Sequence, residues 1–294
     1  MLKKLVLVLV MSSCGLLQGA AQKTVCVNDF FNRRVHPMIF TNAKAANTLM
    51  ITCKDITDPA GLEKFKNYFA KYNMPVIKIN LTQNKLHSLP DCLVGWPELR
   101  YIDVSHNQFA IVPNVLSSCA ELRELNISYN KIKSFVIPYK SGERSEIDSK
   151  DFWQEDGFPV LSELNLAHNR LAVMPENIHV LEQLVKLDVS FNRLTYLPES
   201  IGDMPSLQEL YLHGGGTGKV PDNTITSLPA SFEKLKKLRV LMIGGLNLDE
   251  ESMKLLGRMQ DAQPYLEVVR KREAIKTPAK LYHNMADLVR GSAY

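Results

Sequence analysis

From Val76 onward the chain repeats one phrase, and a repeat limits the possible folds more tightly than composition can. Aligned on Leu-x-x-Leu-x-Leu-x-x-Asn-x-Leu-x-x-Leu-Pro, segments begin at Val76, Leu99, Leu122, Leu161, Leu184, Leu207 and Leu238. The first three starts are 23 residues apart. The fourth start lags by 39 and the last by 31, so insertions of 16 and 8 residues interrupt an otherwise constant period.

Within each unit positions 1, 4 and 6 are apolar, as in Leu122, Leu125 and Ile127 or Leu184, Leu187 and Val189. The last two alternate as a half-buried strand does. An Asn follows at position 9 in five units: Asn84, Asn107, Asn130, Asn169 and Asn192. Its short amide can bond the backbone of neighbouring coils where the chain bends inward, so stacked coils form an amide ladder. Two more apolar positions and then Pro (Pro90, Pro113, Pro175, Pro198, Pro229) carry the chain along a convex side that Pro keeps irregular. No coil buries its apolar face alone. Stacking gives one continuous core and a parallel sheet on the concave side.

Stretches such as LRELNISYNKI, LSELNLAHNRLAVMP and LVKLDVSFNRLTYLPESIGDMPSL resemble the leucine-rich-repeat family, in its 23-residue subclass with Leu-Pro after the Asn turn, and within it exported proteins of bacterial type. The likeness runs from about Val76 to Asn247. It implies an α/β fold, a curved right-handed solenoid that binds proteins or other ligands, and it brings no catalytic residue with it. Departures fall in the third unit, which has Ser134-Phe135-Val136 in place of Leu-Pro, and in the last two. There Gly215 and Leu246 stand where Asn is expected, unless Asn223 serves after a loop.

The N-terminus bears on location. Lys3 and Lys4 precede an apolar run from Leu5 to Met11, and Gly19-Ala20-Ala21 offers the small residues of a cleavage site. Residues 1–21 are therefore expected to be a signal peptide, cleaved after Ala21. The rival is lipidation at Cys14, after Met11-Ser12-Ser13, which would anchor the protein to a membrane. Met three residues before such a Cys and the apolar residues after it argue against that. The expected location is exported: periplasmic, cell-surface or extracellular. No other apolar run approaches the length of a membrane-spanning helix.

Net charge is +4, and losing Lys3 and Lys4 with the signal leaves +2, so there is no electrostatic case for nucleic acid. Of five cysteines, Cys26, Cys53, Cys92 and Cys119 remain after cleavage. Cys119 holds repeat position 21, where other units place Trp96, Leu181, Met204 and Leu235, and reads as a core thiol. Cys26 and Cys53 lie in strand-like segments, Thr24–Val27 and Leu49–Ile56, before the first repeat. An oxidising compartment permits a disulfide between them, and sequence does not fix its geometry.

Repeat arrays carry atypical terminal units, since a bare end coil would expose apolar edge and unpaired strand groups. Residues 22–75 form the expected N-terminal cap, with a helix starting at Asp58-Pro59 and burying Leu62, Phe65, Phe69 and Tyr72. The repeats run over 76–262, with insertions near 136–158 and 215–222, and residues 263–294 form the C-terminal cap. A capped helix is expected from Asp249 to Met259, a closing strand over Tyr265–Val269 and a last helix from Thr277-Pro278. The Arg270-Lys271-Arg272 run reads as a solvated face.

Positions 2, 3, 5, 7 and 8 are expected to leave the concave sheet outward. Position 8 reads Gln83, His106, Tyr129, His168, Phe191, position 3 includes Tyr101, and position 2 adds Arg100 and Arg123. Aromatics beside Arg are the composition favoured at interface hot spots, so Arg100, Tyr101, His106, Arg123, Tyr129, His168 and Phe191 are the partner-binding candidates. The competing reading is packing, because an aromatic before the ladder Asn is ordinary wording in the resembled family. His106 and His168 are two coils apart, about 10 Å, too far for one metal ion.

Gly214–Lys219 is glycine-rich but fails as a phosphate loop, since His213 holds the first required Gly and Val220 follows the Lys. The 16-residue insertion carries Phe152 and Trp153, which either tuck against the convex core or form an interaction knob. No catalytic, metal or cofactor motif stands in a supporting context. The expected function is a non-catalytic, secreted or envelope-associated recognition module that binds a protein partner on its concave face. The alternative is a lipid-anchored structural scaffold of the cell envelope. No cofactor and no nucleic acid are expected, and a membrane only if Cys14 is lipidated.

Overall fold

The computed structural model describes residues 23–26, 49–52, 76–89, 96–134, 158–214 and 222–270. The signal and Cys14, the Cys26–Cys53 pairing, Cys92, the helix at Asp58-Pro59, Phe152 and Trp153, the loop at 215–221 and the last helix lie outside the described residues.

Among the described residues ten strands form one parallel sheet whose order in space is their order in sequence. They are β1 (Lys23–Cys26), β2 (Leu49–Thr52), β3 (Val76–Asn80), β4 (Tyr101–Asp103), β5 (Glu124–Asn126), β6 (Glu163–Asn165), β7 (Lys186–Asp188), β8 (Glu209–Tyr211), β9 (Val240–Met242) and β10 (Glu267–Val269). From β3 to β8 the pairing sets position 3 against position 3 and position 5 against position 5, as in Lys78↔Tyr101, Glu163↔Lys186 and Asn126↔Asn165. The insertion before β6 leaves this register intact. The sheet also runs past the repeats, with β1 and β2 added before Val76 and β10 added beyond β9, which closes where the closing strand was expected.

Apolar positions fill a core that runs the length of the array. Position 4 (Ile79, Ile102, Leu125, Leu164, Leu187, Leu210, Leu241) and position 11 (Leu86, Phe109, Ile132, Leu171, Leu194, Ile225) are buried throughout. Position 21 is buried too, including Cys119, whose thiol is pushed up to about 11 by burial and so stays protonated. The convex side is more regular than expected, because Pro starts a structure there as well as breaking one. Pro113, Pro198 and Pro229 stand at the head of short 3-10 turns, Asn114–Ser118, Glu199–Asp203 and Ala230–Lys234, with φ near −65° already set by the ring.

The ladder Asn accounts for the bend after each strand. Asn130 Nδ2 donates to Ile127 and Ser128 in its own coil and to Val104 in the coil before, while its Oδ1 accepts from Phe109 N at 3.0 Å. Asn107, Asn169 and Asn192 repeat this pattern. In the sixth unit Asn223 takes the place, donating to Val189 at 3.0 Å and accepting from Leu194 N at 3.1 Å. The loop therefore enters between positions 8 and 9. Gly214, at position 8, is bridged to Asn223, and a Cβ on it would lie 2.2 Å from the Asn223 carbonyl oxygen.

Helix α1 (Glu250–Ala262) follows β9, longer at its C-terminus than expected. Asp249 caps it by accepting from Ser252 N at 2.8 Å, and Ser252 Oγ accepts from Leu228 N, which ties the helix to the sixth coil. Leu255, Leu256 and Met259 continue the core on its inner face. Among the described residues no helix is long and apolar enough to cross a membrane.

Candidate functional site

Position 8 adopts a left-handed backbone in every coil from the first to the fifth, with φ of 58° at Gln83, 54° at His106, 53° at Tyr129, 54° at His168 and 54° at Phe191. That conformation costs a non-glycine residue roughly 1–2 kcal/mol, and here the Asn at position 9 holds it in place. Because the same turn recurs at sheet spacing, the side chains are delivered in parallel. His106 stacks on Tyr129 with centroids 4.2 Å apart, Tyr129 on His168 at 4.0 Å and His168 on Phe191 at 4.4 Å, with interplanar angles of 11°, 13° and 17°. His213, at position 7 of the sixth coil, extends the stack loosely at 6.0 Å. Together these aromatics form one continuous ribbon along the edge of the concave sheet.

Two members of the ribbon are uncharged. Burial between rings, with His106 nearby, lowers His168 to about 4, so it is neutral at physiological pH. Burial also raises the Tyr129 hydroxyl, which remains protonated. Tyr129 keeps 37% of its surface exposed, and His106 is exposed as well, so the ribbon is partly covered and still reachable.

Beside it lies a charged row at position 3: Lys78, Tyr101, Glu124, Glu163, Lys186, Glu209. Strand register sets Glu124 directly opposite Glu163. Burial first, and the Glu163 charge second, push Glu124 up to about 7, and burial raises Glu163. Lys186 forms an ion pair with Glu209 at 3.6 Å and sits 5.5 Å over the Tyr211 ring, whose hydroxyl donates to Glu209 at 2.9 Å. Lys78 lies 5.7 Å over the Tyr101 ring, and burial lowers its pKa. Glu124, Asn126, Glu163, Asn165 and Lys186 line a shallow pocket in the middle of the face.

One expectation about side-chain direction needs correction. Position 7 turns inward: Ser105, Ser128 and Ser190 are buried, and so is Ala167. The backbone has already begun its turn there, so strand alternation no longer applies. Position 2, just ahead of the strand, holds no buried residue from Arg100 to Arg239. Arg123 is exposed, but Arg100 is half-buried, and its Nε, among the described residues, is buried with no hydrogen-bond partner. Both arginines are close enough to Tyr101 to oppose the rise that burial gives its hydroxyl. The seven candidates thus separate into the ribbon (His106, Tyr129, His168, Phe191) and a group at one end (Arg100, Tyr101, Arg123).

Position 5 was not singled out in the sequence and proves structural. The side chains of Asn80, Asp103, Asn126, Asn165 and Asp188 each accept from the backbone N–H two residues on, as in Ser105 N to Asp103 at 2.9 Å. The signal was available: Asn or Asp two residues before Ser, Thr or Ala in five successive coils is the mark of an Asx turn. Among the described residues no group of three or more His, Cys, Asp or Glu could hold a metal.

Residues 159–214 match the family model described as leucine rich repeat. No curated protein is a significant match in sequence. Among solved structures, an internalin of Listeria monocytogenes is 14% identical, with a TM-score of 0.53, and the match covers 76% of this chain and 54% of that one. The structure of PEPR1 with AtPEP1 is 21% identical, with a TM-score of 0.51, covering 80% and 30%. A leucine-rich-repeat protein of Leptospira interrogans is 23% identical, with a TM-score of 0.49, covering 75% and 54%. The chain therefore spans about half the length, or less, of these relatives. Repeat register, amide ladder and parallel sheet agree with that match, and the fold is a leucine-rich-repeat solenoid.

Proposed function

We propose that this protein is an exported, non-catalytic recognition module that binds a protein partner through the concave face of its solenoid. Residues 22–75 and 263–294 would close its ends. One observation carries the reading. An aromatic ribbon, His106–Tyr129–His168–Phe191, runs unbroken along a charged sheet face and still exposes Tyr129. A rigid, stacked aromatic surface loses little conformational freedom on binding, and aromatic residues beside Arg dominate the energetics of protein interfaces. Fold likeness to an internalin and to PEPR1, solved with AtPEP1, accords with this reading.

The N-terminal pattern of Lys3, Lys4, an apolar run and Gly19-Ala20-Ala21 supports export, with the mature chain starting at Gln22. Peptide mapping of the mature N-terminus tests that step, and a lipid-modified Cys14 in membrane fractions would replace it with the anchored alternative. For recognition itself, immobilised wild-type protein and a Tyr129→Ala/Phe191→Ala variant are compared for what they retain, by quantitative mass spectrometry. A protein held by the first and lost by the second supports the concave face. Identical retention by both contradicts it.

A further inference from the structure

A second surface lies beyond the ribbon, on the flank that each coil forms between its Asn turn and its convex segment. Positions 10–13 of the first six coils read KLHS, QFAI, KIKS, RLAV, RLTY and TITS, with no acidic residue among them. Their basic residues, Lys85, Lys131, Lys133, Arg170 and Arg193, are all exposed. Lys131, Arg170 and Arg193 stand on adjacent coils, at matching places in a backbone ladder: their N–H groups donate to Phe109 at 2.9 Å, Ile132 at 2.8 Å and Leu171 at 2.8 Å. That spacing, about 5 Å, sets like charges side by side, which opposes folding.

Some cations elsewhere in the molecule have acidic partners. On the convex side and α1, Lys234 pairs with Asp203, Arg258 with Glu233 and Lys254 with Glu250; on the concave face Lys186 pairs with Glu209. Among the described residues none of the flank's five cations has an acidic partner. The flank also holds three of the large apolar side chains left exposed: Ile111, Val173 and Tyr196, all at position 13, with 40%, 41% and 43% of their surface open.

From this juxtaposition we propose that the flank is a second docking surface, for an acidic protein segment that carries apolar side chains. Its carboxylates would neutralise Lys131, Arg170 and Arg193, while its apolar groups cover Val173 and Tyr196. A protein fits better than an anionic bilayer. Val173 and Tyr196 each leave less than half of their surface open, too little for the insertion depth of about 5–10 Å that interfacial anchoring uses.

The test is selection of displayed random peptides on immobilised full-length protein, followed by binding measurements on variants. The expected result is a set rich in Asp and Glu with Leu, Phe or Tyr, which Lys131→Glu/Arg193→Glu weakens by at least about tenfold. Lys131→Gln/Arg193→Gln, gentler on folding, should weaken it less, and Tyr129→Ala/Phe191→Ala on the concave face should leave it bound. The proposal is overturned if no acidic set emerges, or if the acidic set survives both flank variants. Loss of that set in the concave variant also overturns it, as does flank-dependent binding to phosphatidylserine vesicles without any such peptide.

Discussion

Glu124 on β5 lies directly across from Glu163 on β6, although a full coil and an insertion separate them in sequence. Repeat register, rather than mutual attraction, brings the two carboxyls together, and burial first, with the Glu163 charge second, holds the Glu124 proton up to about pH 7. A carboxyl whose folded pKa exceeds its unfolded value binds more protons in the folded state between the two. Stability therefore falls as pH rises from about 4.5 to about 7. Glu124→Gln should remove that loss. Its melting temperature should exceed wild type by about 2–4 °C at pH 8, equivalent to about 1 kcal/mol after solvent screening, and should match it near pH 5. Thermal scans at the two pH values decide it, and an equal gain at both would show that charge is not the cause.

His168 works in the opposite direction. Its folded pKa, about 4, lies below the ordinary 6.5, so the unfolded chain binds more protons between these values and stability falls as pH drops through that window. His168→Phe keeps a ring between Tyr129 and Phe191 but cannot be protonated. The pH profile of denaturant unfolding should be flatter for this variant from about pH 6.5 to 4. An unchanged acid limb would place the loss at another group.

The amide ladder predicts a sharp contrast between two neighbouring residues. Asn130→Ala leaves Phe109 N without its acceptor and takes one of two donors from each of three carbonyls, and should cost about 1–3 kcal/mol, whereas exposed Lys133→Ala should be nearly silent. Urea unfolding measures both. Equal midpoints would contradict the register assigned to the repeats.

Two glycines should behave in opposite ways. A Cβ on Gly202 would come within 2.1 Å of the Ser231 carbonyl oxygen in the next coil, so Gly202→Ala must push two 3-10 turns apart, at about 1–3 kcal/mol. Gly257 lies inside α1 with nothing within 4 Å of its Cβ position, and Gly257→Ala should stabilise by about 0.5–1 kcal/mol. Calorimetric melting of the two variants shows whether the signs differ.

Repeat period, strand register and buried positions are legible in the sequence because each coil states them again, and Leu125, Leu164 and Leu187 confirm one another. The same redundancy makes Asn223 recognisable as a ladder residue displaced by a loop. What one unit cannot show is what neighbours do together. Stacking of His106 on Tyr129, like the opposition of Glu124 to Glu163, belongs to adjacent coils, and only the register of the assembled sheet creates it. Position 7 misled for a local reason: a strand of three residues ends at position 5, so alternation cannot be extended to Ser105 or Ser128.

The concave face as a protein-binding surface is tested most directly by the affinity of the captured partner for purified variants, measured by titration calorimetry. Tyr129→Ala/Phe191→Ala should weaken binding by about 2 kcal/mol or more while the melting temperature stays close to wild type, and Phe152→Ala/Trp153→Ala in the insertion should have a smaller effect. Full affinity in the concave variant, with loss in the insertion variant, would contradict concave binding and leave the aromatic ribbon a packing device.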